Sequence, residues 1–257
     1  MTDATIGGSA SKVSSRWFYA WMAATCMAVA FIGFMPSYFV PMMQGQAVNP
    51  PLLHLHGLLF FGWTALFCVQ TWLVASGGVL AHRTWGMLGI AIATAMVLSV
   101  FVVVAVRAST GEALGIGENI RTFAWVQVQG MLFFGTVFTL AIVNLKKPDV
   151  HKRLMLLATI SLLDAPIARW FIMFFAPPAE PGAPPAMPPV FVTIPPAMVA
   201  NLLLVAAIVY DWRTRGRPHP VYLIGGGVLL VLQLTRPLVA ESGAWQSIAL
   251  WIQHLGG

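Results

Sequence analysis

Seven stretches, at roughly 17–40, 53–77, 84–107, 122–145, 153–176, 190–210 and 221–240, each run for about 20 residues or more with scarcely a charge. Such runs leave few choices of fold. A helix crossing a hydrocarbon core ~30 Å thick at ~1.5 Å per residue needs about 20 mostly apolar residues, and in lipid only helices and closed barrels satisfy their own backbone. Over the whole chain 58% of residues are hydrophobic and 9% charged, where an ordinary soluble domain carries roughly 25% charged residues. The expectation is an all-α integral membrane protein with seven transmembrane helices. A tail over residues 1–16 precedes the seven-helix domain at 17–240, and an outer segment follows at 241–257. The first run follows a polar N-terminus and continues into FVPMMQG without a small-residue cleavage site, so it reads as a retained helix.

Lysine and arginine concentrate in short cytoplasmic loops, and their placement orients the bundle. From a cytoplasmic N-terminus, Lys12, Arg16, Arg83, Lys146, Lys147, Lys152, Arg153, Arg213, Arg215 and Arg217 all fall inside. Arg107, Arg121, Arg169 and Arg236 fall at outer helix ends or within helices, with Glu112, Glu118, Glu180 and Glu241 outside. The reading is N-in, C-out, in a bacterial-type inner membrane. The net charge of +6 then follows from topology, with membrane lipids as the natural partners. Nucleic acid is not expected, because the basic residues are scattered over three loops and a tail without interleaved aromatics. Cys26 and Cys68 sit inside spans as small apolar residues, and no CxxC motif is present.

LHLHGLLFFG at 53–62 recurs as VQVQGMLFFG at 126–135, with both histidines replaced by glutamine. AHRTWGMLG, VHKRLMLLA and RPHPVYLIG then open the third, fifth and seventh runs, spacing His82, His151 and His219 by 69 and 68 residues. The pattern predicts a repeated helical hairpin, in runs two–three, four–five and six–seven, with the first helix added. In that register His56 corresponds to Gln129 and then to Asn201. The segment PPAEPGAPPAMPP at 177–189 should be an extended link, since proline lacks the amide donor a helix needs. Trp245, Ile248, Ile252 and Leu255 form a helical stripe that predicts a short interfacial helix.

Asp164 lies near the midplane of the fifth span, where a bare carboxylate is costly and ionisable residues normally face an interior partner or cavity. Arg169 and Arg236 are its candidate cations. Pairing would lower the carboxyl pKa and burial would raise it, and the sequence leaves the balance open. His56, Trp63 and Gln70 recur every seven residues on one helix face, and polar faces in membranes turn inward. His54 is rotated about 200° from His56 on a regular helix, so the two cannot share a metal. His56, Gln129, Asp164, Arg169, Asn201 and Arg236 are therefore expected to line an intramembrane polar pocket in the outer half. His54, His82, His151 and His219 are alternative haem or metal ligands, against a plainer role for the last three as interfacial anchors beside lipid phosphate.

The HRxxGxxG pattern of His82, Arg83, Gly86 and Gly89, together with HKRLML at His151–Leu156, resembles a group of uncharacterised bacterial multi-pass membrane proteins. More distantly it is similar to small four-helix membrane proteins of cytochrome oxidase maturation. That resemblance implies a link to haem or respiratory-chain biogenesis, with other membrane-complex subunits as partners, and supplies no catalytic residue. The leading expectation is a pocket that binds haem, quinone or another amphipathic small molecule in an accessory or electron-transfer role. A proton-coupled transporter, a membrane-embedded lipid-modifying enzyme using Asp164 or His56, and an assembly scaffold stay open beside it.

Overall fold

The computed structural model describes residues 4–46, 49–176 and 188–254, with side chains from Trp17 onward. Ten α-helices account for nearly all of them, and no strand occurs among the described residues. They are α1 (Ala4–Phe34), α2 (Val40–Met43), α3 (Pro51–Ala75), α4 (Val79–Ala113), α5 (Gly117–Val143), α6 (Pro148–Ile160), α7 (Asp164–Phe175), α8 (Ile194–Arg215), α9 (Gly226–Ala240) and α10 (Gly243–His254). A wide turn at Met35–Phe39 joins α1 to α2, another at Val221–Gly225 leads into α9, and a tight turn at Val190–Thr193 leads into α8. Together they make seven helical units long and apolar enough to cross a membrane, so the chain is a multi-pass membrane protein. Most of the proline-rich 177–189 link, and Leu255 of the predicted C-terminal stripe, lie outside the described residues.

Connections of a few residues force neighbouring helices antiparallel. Residues 76–78 join α3 to α4, 114–116 join α4 to α5, and 144–147 join α5 to α6. Gly77 and Gly115 hold positive φ in two of these turns, and Gly216 caps α8 at φ 74°. Arg83, Lys146, Lys152 and Arg215 thus gather at one end, here called the basic end. Between helices in lipid, packing depends on close approach and not on water exclusion, which favours small interface residues. Ala23, Cys26, Ala141, Ala158, Ala197 and Ala207 are all fully buried at such contacts.

The structure refines the predicted spans. The second helix starts at Pro51, the third at Val79 and the fourth at Gly117, each a few residues before the apolar run does. His82 therefore lies one turn inside α4, not ahead of it. The fifth span is not one helix: Ser161–Leu163 form a turn between α6 and α7, which leaves Asp164 at the first position of α7. A carboxylate there meets the positive end of the helix dipole. The C-terminal segment packs onto the bundle through Trp245, Ala249 and Ile252, while Ile248 and Trp251 stay exposed. The Trp245 indole N–H donates to the Arg121 carbonyl at 2.8 Å. Arg121 in turn contacts Glu112 at 2.6 Å and the Gln253 side chain at 3.0 Å, tying α4, α5 and α10 together.

Candidate functional site

The break after α6 sets Asp164 against α9. There Arg236, only 1% exposed, donates from Nη2 to Asp164 Oδ2 at 2.6 Å and from Nε to Gln129 Oε1 of α5 at 2.9 Å. One turn earlier on α9, buried Gln233 accepts from Asn201 Nδ2 of α8 at 2.6 Å. Three helices, α5, α7 and α9, thus meet around one guanidinium, and α8 joins α9 one turn away. Of the expected pocket residues, Gln129, Asp164 and Arg236 are joined by hydrogen bonds here, while Asn201 bonds Gln233 one turn away. Gln233 neighbours this group on α9 and had a sequence signal, one turn before Arg236 on the same face.

Hydrogen bonding at this cluster is incomplete. Arg236 Nη1, Gln129 Nε2 and Asn201 Oδ1 are buried and have no partner within the protein. A buried donor left unpaired costs about 1–3 kcal/mol, so an acceptor from outside the chain that reached either donor would be held there. The Asp164 side chain is 16% exposed, so the carboxylate bonded to Arg236 is partly open to its surroundings. Asp164 also balances the Arg236 charge, so the group as a whole is close to neutral.

Arg169 and His56 are not part of this cluster. Arg169 is exposed and lies over the Phe34 ring at 5.3 Å; it points away because it follows Asp164 by one and a half turns. His56 Nδ1 lies 3.0 Å from Ser99 Oγ. The Ser99 hydroxyl already donates to the Met96 carbonyl, so His56 must be the donor. His54 instead meets the Tyr38 hydroxyl at 2.6 Å, so the two histidines have different neighbours, as their angular separation requires. A cleft of about 410 Å³ opens nearby between the start of α3 and the facing ends of α4 and α5, with Leu53, Val103, Arg107, Phe123 and Gln127 in its wall.

Toward the middle, the Trp63 indole N–H donates to Thr159 Oγ1 at 3.3 Å. At the basic end, the His82 and His151 rings come within 6.5 Å of each other, centre to centre. His219 is not with them: its Nδ1 accepts from the Val221 amide of its own turn at 3.1 Å. No group of three or more His, Cys, Asp or Glu side chains able to hold a metal occurs among the described residues, and both cysteines are free.

A second buried ion pair had no counterpart in the sequence reading. Arg153, counted there as a loop charge, is 2% exposed and forks onto Asp211 of α8, 2.8 Å from Nε to Oδ2 and 2.5 Å from Nη2 to Oδ1. Asp211 is fully buried. Arg153 Nη1 also reaches Asp149 at 3.1 Å, and Lys152 pairs with Asp149 at 2.7 Å while lying over the Tyr19 ring. The signal was Asp211 itself, a lone carboxylate closing the apolar run LLLVAAIVYD. Compared with protein families, curated proteins and solved structures, the chain matches none.

Proposed function

We propose that this is an inner-membrane protein, N-terminus in the cytoplasm and C-terminus outside, that holds the head of an amphipathic small molecule at the Arg236 cluster in an accessory or electron-transfer role. The observation that carries this reading is the pair of buried, unpartnered donors at Arg236 Nη1 and Gln129 Nε2. A carbonyl oxygen accepting from either would remove the cost of leaving that donor unpaired. Because Asp164 already neutralises Arg236, the arrangement favours a neutral carbonyl over an anionic group. A quinone head fits that description better than haem does. Haem iron would need an axial nitrogen at the cluster, and His56 is engaged with Ser99 instead.

The test is a titration of purified protein in nanodiscs with decylubiquinone, followed by quenching of tryptophan fluorescence. Saturable binding is expected, weakened about tenfold in Gln129→Leu, since one hydrogen bond contributes about 1.5 kcal/mol. Equal affinity in the variant, or no saturation in the wild type, sinks the reading.

A second reading, proton-coupled transport, is favoured by one observation: a partly exposed carboxylate at the start of a half-helix, an arrangement that transporters use near the midplane. It requires proton flux in proteoliposomes that Asp164→Asn abolishes.

A further inference from the structure

The His82–His151 pair lies apart from the Arg236 cluster and independent of the reading built on it. The two imidazoles come from the first turns of α4 and α6, with centres 6.5 Å apart and planes at 74°. His151 Nδ1 donates to the Ala141 carbonyl at 2.9 Å, and a carbonyl can only accept, so the proton of the neutral ring is on Nδ1 and Nε2 carries a free lone pair. This is the way ligating histidines are commonly oriented, with the second nitrogen tied to a backbone carbonyl. His82 Nδ1 is buried without a partner, and so are both side-chain atoms of Gln70, a residue 9% exposed whose backbone carbonyl faces the His82 ring. Two metal–nitrogen bonds of about 2 Å, plus the ~1.1 Å offset of each nitrogen from its ring centre, come to about 6 Å, so the rings as placed are close to the separation of a linear two-imidazole ion.

We propose that His82 and His151 form a two-imidazole site for copper(I) at the basic end of the bundle. Donor number points to this ion. Structural zinc takes four protein ligands, and no third His, Cys, Asp or Glu completes a set here among the described residues. Copper accepts imidazole nitrogen and, as copper(I), soft thioether sulfur. Met155 follows His151 by four residues and so lies on the same helix face. Charge agrees with the choice: Arg83 and Lys152 adjoin the two histidines, and a monovalent ion brings the least repulsion to such a place. Iron porphyrin would also take two imidazoles, and its Soret band distinguishes it from a copper(I) ion.

The experiment adds copper(I) anaerobically to the full-length protein in nanodiscs against a chromogenic copper(I) chelator. One ion per chain is expected, held roughly tenfold or more weakly by His82→Ala and His151→Ala and unchanged by His54→Ala. His151→Gln keeps a side-chain donor for the Ala141 carbonyl, so loss of copper in this variant, with circular dichroism unaltered, separates ligation from folding. Copper retained in both alanine variants, or never bound by the wild type, overturns the site. Zinc(II) held as tightly as copper(I) overturns the donor-count argument. A Soret band on adding hemin that both alanine variants lose would assign the pair to iron porphyrin and overturn the copper assignment.

Discussion

Arg153 and Asp211 make the strongest single commitment in the bundle, a forked ion pair with side chains 3% and 0% exposed. Removing one member of a buried pair leaves an uncompensated charge, typically at about 3–5 kcal/mol, whereas replacing both with apolar groups of similar volume is often neutral or stabilising. Arg153→Ala should therefore lower the thermal midpoint in detergent far more than the double change Arg153→Met with Asp211→Leu. A smaller loss in the single variant would remove the pair from the stability argument. His219, in the turn between α8 and α9, titrates below the ordinary histidine value of 6.5, first because of desolvation and then because of Arg153 and Arg215, with Asp211 and Asp149 opposing. The folded state thus binds this proton less readily than the unfolded chain does. Stability is complete above pH 6.5 and falls as pH drops from there through the lowered value. Melting between pH 7.5 and 5 should show this decline in the wild type and a shallower one in His219→Gln.

Among the elements, the α6–α7 break is the one on which the Arg236 cluster depends. A continuous helix would carry Asp164 without a dipole to face, and Pro166 two residues later suits the first turn of a helix, where its missing N–H costs nothing. Helix α1 is fitted to this break at Gly33. A Cβ there would lie 2.4 Å from the Pro166 Cβ and 2.7 Å from its carbonyl oxygen, and rigid backbone cannot yield as a flexible side chain can. Gly33→Ala should destabilise by about 1–3 kcal/mol through overpacking. Gly62, in the middle of α3, would meet nothing within 4 Å, and Gly62→Ala should be neutral or stabilising by up to about 1 kcal/mol through helix propensity. Comparing the two melting temperatures separates close packing from propensity, and equal shifts would refute the fitted contact.

The whole molecule divides its polar groups by depth. The Arg153–Asp211 pair and the His82–His151 pair occupy the basic end, Trp63–Thr159 lies further in, and the Arg236 cluster follows beyond the helix break. The proposed orientation makes a concrete prediction for intact cells. A cysteine introduced as Arg213→Cys should react with a membrane-impermeant thiol reagent only after permeabilisation, and one introduced as Ser247→Cys should react without it. The reverse pattern would invert the topology and move the Arg236 cluster to the cytoplasmic half.

The sequence by itself determined the class and the number of spans, because both depend on apolar run length against a fixed membrane thickness. It also marked Asp164 and Arg236 as groups needing partners, since an isolated charge in lipid is costly wherever the helices lie. Only the tertiary structure decided which partners they have. Asp164 took Arg236, 72 residues away, because the break at 161–163 sets how α7 faces α9 and periodicity cannot see a break. Arg153 looked like a loop charge and Asp211 was not singled out at all; their encounter depends on how α6 and α8 cross, and a helix-by-helix reading carries no term for that crossing.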